Sequence, residues 1–530
     1  MLRFFPWLKV GHNHGIGLKG VKYEYAITCL PILNKSKLSI RHLLKNKRKI
    51  MESKSSCIIL YPSPGIGHLV SMVELGKLIL CHHPDLFSNI IILVTTAPHL
   101  NTRTTYPYMN LVSATTPSIT FHHLPTTPLP PTYVPSQEGL NFDLQSFNNS
   151  NVRQALETIS SKPMKIIAFV MDFFCTSASQ VSSGLNIPTY YFFTSSASSL
   201  SILLYLPIMH QKITTNFKDL NAFVQFPGLP PIFSSDLSEP LLDRNLVEYT
   251  YFMELADQIA KSDGIIINTF HSLETRAITA ISDGLCIANA PTPPIYCIGP
   301  LIAEKQNNIE GNECMLWLNS QPRKSVIFLC FGSMGVFGEE QLKEIGVGLE
   351  NSGHRFLWVV KAPPPKGDNE SNSSIVAPQE PDLNTLLPQG FLERTKGRGL
   401  VVKTWAPQVA VLSHESVGGF VTHCGWNSIL EGVCAGIPMI GWPLYAEQRI
   451  NKAILVEEIR VGLGLEESDG RRFVSGVEIE KRVRELMESD SGKNIRRRVE
   501  ELRDAAKVAM SDENGSSRIA LAKLITKWKE

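Results

Sequence analysis

The fold follows from the stretch Trp405–Gln448, which reads WAPQVAVLSHESVGGFVTHCGWNSILEGVCAGIPMIGWPLYAEQ. Within it, Gly418–His423 has the composition of a buried strand, and the residues after Gly425 have helical character. A glycine at such a turn lets the backbone approach a ligand, and the free amides of a helix N-terminus hold phosphate. The order of strand, tight turn and helix therefore predicts a diphosphate site, with an ordinary ligand-free turn as the alternative.

The same alternation continues on both sides of this stretch. Short runs rich in Val, Ile and Leu, typical of parallel strands buried on both faces, are separated by helical segments that can supply right-handed crossovers. We therefore predict an α/β protein with two doubly wound, Rossmann-like domains. The expected strands are Cys57–Tyr61, Ile90–Thr95, Ile166–Asp172, Thr189–Thr194, Gly264–Phe270 and Ile295–Gly299, then Ser325–Phe331, Arg355–Val360, Leu400–Trp405, Gly418–His423 and Pro438–Pro443.

Charge and composition place the domain boundaries. Residues 1–50 carry a net charge of +10, whereas the rest of the chain sums to −8. A basic head on an acidic body predicts a disordered extension outside the fold, either an upstream start before Met51 or an organellar transit peptide. The remaining chain divides into a first domain at 51–300, a polar linker at 301–312, a second domain at 313–493 and a charged helical segment at 494–530.

Several classes of protein are disfavoured by the composition. The net charge of +2 does not call for a nucleic-acid partner, and no apolar stretch reaches the ~18 residues that span a bilayer. The ten cysteines form no C-x-x-C pair and sit mostly in apolar runs, which suits a reducing compartment. We find neither a D-x-D triplet for a metal-bound sugar donor nor a G-x-S-x-G elbow. We expect a cytoplasmic monomer that needs no metal or other cofactor.

Two residues of the first domain are candidates for acid–base chemistry. His68 follows the tight turn Pro64–Gly67, beyond the carboxyl end of a predicted strand, where ligands of open α/β sheets bind. Asp172 ends a run that carries no other charge, so its carboxylate needs a partner. His68 is either a general base or a capping or core histidine, and Asp172 either orients that base or caps the next helix.

The second domain offers groups suited to a nucleotide. His423 and Ser428 add hydrogen-bond donors to the amides that open the helix after Gly425. Glu431, one turn further on, can accept hydrogen bonds from a ribose diol, and Trp405 offers a flat face to a base.

These residues carry a family resemblance. The stretch Trp405–Gln448 resembles the signature of plant family-1 UDP-dependent glycosyltransferases, and the likeness extends from Met51 to the C-terminus. The segments PSPGIGHLVSMVELGK (62–77) and FVMDFFCTSA (169–178) are similar to the branch that glycosylates flavonoids, chalcones and related phenols.

The resemblance implies a GT-B arrangement, in which the two domains face each other across a cleft and the last helix crosses back to the first domain. It implies that His68 is the catalytic base and Asp172 its partner. It assigns the uracil and ribose to Trp405, Ala406, Gln408 and Glu431, the diphosphate to Ser333, His423, Asn427 and Ser428, and the sugar to Thr194, Trp426, Glu447 and Gln448. The family usually has Asp at the position of Glu447, which leaves that sugar contact open.

The implied activity is transfer of glucose, with inversion, from UDP-glucose to a hydroxyl of a small phenolic acceptor. The alternatives are another UDP-sugar, a terpenoid or hormone acceptor, or a non-catalytic nucleotide-sugar-binding protein. Loops of the first domain at Thr126–Phe147 and Phe217–Leu237 are expected to form the acceptor pocket. Their aromatic residues, which could equally serve packing, are Tyr133, Phe142, Phe147, Phe223 and Phe226.

Overall fold

The structure is a computed structural model that describes residues 55–84, 89–97, 102–128, 137–288, 290–303, 311–363, 380–468, 472–511 and 514–530. The chain divides into two compact units, Met1–Lys54 and Ser55–Glu530, and every described residue belongs to the second unit. The predicted extension 1–50, residues 304–310 of the predicted linker and Tyr133 lie outside the described residues.

A seven-stranded parallel sheet forms the first half of this unit. Its strand order is β3-β2-β1-β4-β5-β8-β9. Between β5 and β8 the chain also forms a separate antiparallel hairpin, β6–β7. The strands are β1 (Ser55–Tyr61), β2 (Asn89–Val94), β3 (Ile119–His123), β4 (Met164–Asp172), β5 (Thr189–Phe193), β6 (Phe223–Val224), β7 (Ile232–Phe233), β8 (Gly264–Ile267) and β9 (Ile295–Cys297).

Helices connect these strands, as parallel pairing requires. They are α1 (Ile66–His82), α2 (Thr102–Thr115), α3 (Gln137–Phe147), α4 (Asn149–Ser160), α5 (Ser179–Gly184), α6 (Ala197–Lys212), α7 (Phe217–Leu220), α8 (Glu239–Leu242), α9 (Val247–Ile259) and α10 (Thr275–Ser282). Two short 3₁₀ turns, Phe173–Ala178 and Ser234–Asp236, complete the first half.

A second parallel sheet, of six strands, has the order β12-β11-β10-β13-β14-β15. Its strands are β10 (Val326–Cys330), β11 (Arg355–Val360), β12 (Gly399–Lys403), β13 (Val417–Thr422), β14 (Met439–Gly441) and β15 (Gly462–Gly464). The helices are α11 (Glu313–Asn319), α12 (Glu339–Ser352), α13 (Leu383–Leu386), α14 (Phe391–Arg394), α15 (Gln408–Leu412), α16 (Trp426–Ala435), α17 (Gln448–Ala453), the π-turn Ile454–Glu458, α18 (Gly476–Glu488), α19 (Asp490–Ala509) and α20 (Ser516–Lys529).

The central strands of each sheet are buried on both faces, and strand β1 is an example. Ile58 and Leu60 point into one apolar cluster, whereas Ile59 and Tyr61 point into the cluster on the other face. Burying one such large apolar side chain contributes about 1.5–3 kcal/mol to folding. The uninterrupted apolar runs of the sequence are therefore the physical basis of the doubly wound architecture, and the predicted fold class is confirmed.

All eleven expected strands are present, and their ends differ from the predicted ones by at most three residues. The strands that were not predicted have weak sequence signals. Strand β3 is mostly exposed along its length and ends in two histidines. Strand β15 has three residues, two of them glycine, and the hairpin strands β6 and β7 have two residues each.

The last helix, α20, packs on the first sheet rather than the second. Ser517 Oγ donates to Gly299 O at 2.5 Å, and the ring of Trp528 meets that of Tyr190 with centroids 5.6 Å apart. The chain thus returns to the first sheet after completing the second. Among the helices of the described residues, none combines the length and the apolar character that crossing a membrane requires.

Candidate active site

Parallel strands aim their carboxyl ends at one edge of a sheet, and the candidate residues lie at these edges. In the first sheet, Asp172 ends β4, Thr194 follows β5, and His68 lies in the first turn of α1 after β1. In the second sheet, Ser333 follows β10, Trp405 and Ala406 follow β12, and His423 follows β13. Asn427 and Ser428 open α16, and Gln448 opens α17.

His68 and Asp172 form a direct pair. His68 Nδ1 lies 2.7 Å from Asp172 Oδ2, and the side chains are 29% and 0% exposed. Thr194 Oγ1 lies 3.4 Å from the same ring nitrogen. Because a carboxylate only accepts, Nδ1 carries the proton and Nε2 keeps its lone pair. The geometry thus provides an oriented imidazole with a basic nitrogen.

Asp172 makes a contact of each predicted kind, one with each carboxylate oxygen. While Oδ2 meets His68, Oδ1 accepts the backbone N–H of Phe174 at 3.1 Å and caps the turn Phe173–Ala178. The buried carboxylate is therefore satisfied from two sides. These two hydrogen bonds fix the orientation of the carboxylate and therefore the orientation in which it holds the His68 ring.

The pKa of His68 reflects opposing influences. Burial lowers it, whereas the charge and hydrogen bond of Asp172, assisted by the charge of Glu447, raise it further than burial lowers it. The net pKa of His68 is above its usual value. A raised pKa gives a stronger base, although one that needs a correspondingly higher pH to be neutral.

An aromatic wall surrounds His68. The His68 ring lies 5.8–5.9 Å from the rings of Phe173 and Phe174, measured between centroids. Phe142 continues the wall at 5.0 Å from Phe174, and it also meets Tyr251 and Phe252. The surroundings of the basic nitrogen are therefore suited to a planar apolar molecule.

In the second half, the turns around His423 form a narrow cradle. Gly332 has a φ of +71°, and a Cβ on it would lie 2.6 Å from His423 Nε2. A Cβ on Gly425 would lie 2.5 Å from the same atom. Only glycine fits at both positions, so the backbone closes on the imidazole from two sides. Helix α16 begins directly after Gly425 and has no side-chain N-cap among the described residues.

His423 is neutral in this cradle. Burial, together with the positive charge of Lys361, lowers the pKa of His423 to about 4. Its Nδ1 is buried and has no hydrogen-bond partner in the part of the chain that the structure describes. Nε2 lies on the side of the two glycines, so the Nε2–H tautomer would direct a donor at an anion at the N-terminus of α16.

A second group of polar residues lies along α15 and α16. Gln408 Nε2 donates to Glu431 Oε2 at 2.6 Å and to Ser428 Oγ at 2.9 Å. Burial raises the pKa of Glu431 to about 7, against the lowering effect of the Gln408 hydrogen bond. Trp405 is 59% exposed, whereas Ala406 is buried beside it. An exposed indole after β12 and a buried carboxyl on α16 suit a base and a ribose diol.

The two halves meet at the N-termini of α1 and α16. Asn427 Nδ2 donates to Ser71 Oγ at 3.2 Å and lies 3.5 Å from Gly67 O. Trp426 buries its indole and donates from Nε1 to Asn268 O at 2.7 Å. These contacts hold the helix that carries His68 against the cradle that contains His423.

Glu447 and Gln448 differ in their surroundings. Glu447 Oε1 accepts from Ser195 Oγ at 2.8 Å, across the cleft, and from Asn451 Nδ2 at 3.3 Å. Gln448 is 3% exposed, and its Oε1 accepts the backbone N–H groups of Leu444 and Tyr445. Glu447 therefore keeps its other oxygen for a ligand, whereas Gln448 can offer its amide NH₂.

Three site residues are adjacent in sequence to a non-glycine residue in the left-handed region. Thr404 (φ 65°) precedes Trp405, Cys424 (φ 64°) follows His423, and Ala446 (φ 52°) precedes Glu447. Such conformations cost of order 1–3 kcal/mol each and cluster at functional sites. The surrounding structure maintains them where side chains must be aimed precisely.

The structure also separates some of the candidates. Ser333 is exposed on the turn after β10 and makes no hydrogen bond with another candidate among the described residues. Phe226 is 1% exposed and belongs to the core, so it serves packing, whereas Phe223 is 71% exposed. Sequence reasoning missed Lys361 and Ser195, which lie in none of the quoted motifs, and it did not single out Ser71 within the segment 62–77. It also passed over Phe173 and Phe174, although the FF directly after Asp172 was a signal for an aromatic wall.

Metal-ligand chemistry gives no additional candidate. The described residues contain no group of three or more His, Cys, Asp or Glu side chains arranged to hold a metal ion. Function without a metal stays a prediction.

Comparison with known proteins adds independent information. A sequence model of the family described as "UDP-glucoronosyl and UDP-glucosyl transferase" matches residues 277–494. The chain is 52% identical over 477 residues to UDP-glycosyltransferase 88B1 of Stevia rebaudiana, a match that covers 90% of this chain and 99% of that protein. It is 48% identical to an anthocyanidin 5,3-O-glucosyltransferase of a Rosa hybrid cultivar, with 89% and 99% covered.

Solved structures agree with the sequence matches. The structure of Phytolacca americana UGT2 complexed with UDP-2fluoro-glucose and pterostilbene matches with a TM-score of 0.79 and 35% identity. The match covers 90% of this chain and all of that one. The chain has two parallel sheets, and these relatives are about half identical to it over nearly their whole length. It therefore belongs to the plant family-1 UDP-dependent glycosyltransferases.

Proposed function

We propose that this enzyme transfers glucose from UDP-glucose to a hydroxyl of a small phenolic acceptor, with inversion and with His68 as the general base. The observation that carries the proposal is the juxtaposition of two dissimilar sites. His68, which pairs with Asp172 at 2.7 Å, lies on the helix that Asn427 ties to the N-terminus of α16. A base and an anion cradle therefore face one reaction space.

The base would act through Nε2 of His68. Asp172 occupies Nδ1, which leaves the Nε2 lone pair to take the proton of an acceptor hydroxyl. As the proton is transferred, the imidazole becomes a cation, and the buried carboxylate stabilises it. The acceptor oxygen then attacks the anomeric carbon of the sugar.

The leaving group would be stabilised in the second half. The bond between the anomeric carbon and the β-phosphate oxygen breaks, and its electron pair stays on UDP. That charge would be received by the amides that open α16, the side chains of Asn427 and Ser428, and Nε2–H of neutral His423. Fixed donors of this kind need no reorganisation during the reaction.

We expect inversion because the carboxylate beside His68 is not available as a nucleophile, and Glu447 is assigned to hydrogen bonds with the sugar. A double displacement needs a carboxylate that can attack the anomeric carbon. Asp172 is fully buried, and both of its oxygens are engaged, by His68 and by the N–H of Phe174. Direct attack by the acceptor, which inverts the anomeric centre, is the mechanism that these contacts support.

The acceptor and donor classes rest on two kinds of support. The partly exposed rings of Phe173 and Phe174 beside His68, with Phe142 packed against Phe174, fit a planar phenol. The rose relative is named for O-glucosylation of anthocyanidins, and the Phytolacca structure holds UDP-2fluoro-glucose with pterostilbene. Ribose and uracil contacts would come from Glu431, Gln408 and Trp405, and sugar contacts from Thr194, Trp426, Glu447 and Gln448.

The test is a panel of phenolic, terpenoid and hormone acceptors incubated with UDP-glucose, UDP-galactose or UDP-glucuronate, with products identified by mass spectrometry and NMR. We expect β-glucosides of phenols, formed fastest from UDP-glucose. His68→Ala should abolish nearly all turnover while UDP still binds. Retained α-configuration, or turnover of the His68→Ala variant near that of the wild type, would contradict the mechanism.

A further inference from the structure

The proposed reaction poses a problem of charge. Departing UDP carries a diphosphate whose negative charge grows as the glycosidic bond breaks. Yet the candidate donors around it are neutral: His423 has a pKa of about 4, and Asn427 and Ser428 carry no charge. An additional positive group would stabilise the leaving group considerably, because a charged hydrogen bond is roughly twice as strong as a neutral one.

Lys361 lies at the edge of this cradle. It directly follows β11, whose neighbour in the sheet is β10, and so it lies beside the turn that β10 leads into. Its Nζ donates to Gly332 O, on the residue before Ser333. Gly332 in turn lies against Nε2 of His423. Lys361, the Gly332–Ser333 turn and His423 therefore form one continuous set of contacts.

The ammonium of Lys361 has capacity beyond this contact. An ammonium has three N–H donors, and one of them serves Gly332 O. The described residues offer no partner for the other two. The side chain is half-buried, so its charge is only partly screened by water, and that charge is already felt by His423, whose pKa it helps to lower.

We propose that Lys361 is a positioning residue of the diphosphate cradle, one that fixes the Gly332–Ser333 turn and places a positive charge beside the leaving group. This inference rests on the proposed function. When the bond from the anomeric carbon breaks, the electron pair stays on the β-phosphate oxygen, and the ammonium offsets the added negative charge without transferring a proton. The turn held by Lys361 also brings the otherwise isolated Ser333 to the diphosphate.

The role of Lys361 predicts an effect on the diphosphate and not on the nucleoside. We would measure the affinities of UDP and uridine by isothermal titration calorimetry in the wild type and in Lys361→Met. We expect UDP to bind about tenfold or more weakly to the variant, the range for loss of a hydrogen bond to a charged group, and uridine to bind unchanged. Because uridine contacts only the other end of the site, its binding also reports that the variant is folded.

Varying the ionic strength distinguishes the effect of the Lys361 charge from the effect of its hydrogen bond to Gly332 O. In the wild type, UDP affinity should fall with added KCl, and in Lys361→Met this dependence should be shallower. The matched control is Lys343→Met, which removes a lysine that pairs with Glu339 on α12. The control should leave both affinities and the salt dependence unchanged. If Lys361→Met is poorly expressed, Lys361→Gln provides the same comparison.

Three results would overturn the inference: unchanged UDP affinity, parallel loss of UDP and uridine affinity, or weaker UDP binding with an unchanged salt dependence. Wild-type transfer is assayed first. If the wild type forms no glucoside with any acceptor, the proposed function fails. If the wild type is active and one of the three results is seen, only the role of Lys361 fails.

Discussion

Replacing Asp172 with Asn is the most direct test of the His68–Asp172 pair. The amide keeps the size of the side chain, and its oxygen can still accept the N–H of Phe174. Its NH₂ would then face His68 Nδ1 and donate to it, which moves the ring proton to Nε2. The variant thus has an intact turn, an imidazole in the wrong tautomer and no charge to stabilise the imidazolium.

The size of the effect follows from the geometry. Two unit charges roughly 4 Å apart, at an effective dielectric constant of about 20, interact by ~4 kcal/mol. His68 is partly exposed, so we expect about 2–4 kcal/mol of this to appear in the barrier, a loss of roughly 30- to 1000-fold in kcat. In a His68→Ala background, the substitution Asp172→Asn should cost nothing further, because the two residues act as one unit.

The pH profile gives a second, independent readout. His68 must be neutral to accept a proton, so turnover rises with pH through the pKa of His68. Asp172 raises that pKa, and burial lowers it. Without the carboxylate, the lowering of the His68 pKa by burial dominates. The acid limb of the pH profile of kcat/KM should therefore move to lower pH. The control is Asp263→Asn, which removes a carboxylate that accepts the N–H of Thr189 at the start of β5. An unmoved acid limb, or additive losses in the double variant, would refute the assignment.

Further predictions concern the donor site. Uridine affinity should rise with pH through about 7, because the raised pKa of Glu431 leaves the carboxyl protonated below that pH, and Glu431→Gln should remove this dependence in calorimetry. Trp405→Ala should weaken UDP binding by about 1–3 kcal/mol through lost stacking, while the thermal midpoint hardly changes because the indole is 59% exposed. Glu447→Ala should weaken UDP-glucose binding about tenfold more than UDP binding, since a hydrogen bond to the sugar is lost in addition to the contact with Ser195. Glucosyl transfer should persist in EDTA, and a rate restored only by added metal would contradict this.

Much of the fold was predictable because it depends on local composition. A run such as Val326–Cys330 is apolar at every position, which is typical of a parallel strand covered on both faces. Strand β3 was missed for the opposite reason: it lies at the edge of the sheet and is largely exposed, so its sequence resembles that of a loop. The carboxyl-edge positions of His68, Asp172 and His423 follow directly from such strand assignments.

What the sequence could not provide is contact between distant segments. No pattern indicates that Ser195 meets Glu447, 252 positions away, or that Lys361 reaches Gly332. Likewise, the choice between the two roles of Asp172 was undecidable from spacing, because each role uses a different oxygen of one carboxylate. Side-chain direction depends on packing across the sheets, which local propensity does not encode.

The length of the Trp405–Gln448 stretch has a physical explanation in these cross-cleft contacts. Asn427 contacts α1, Trp426 donates to Asn268 O, and Glu447 accepts from Ser195. Each of these residues is also a candidate ligand contact. The same segment thus has to satisfy a nucleotide sugar on one side and the first sheet's loops on the other. We therefore expect substitution of any of these three residues to affect both donor binding and the placement of His68.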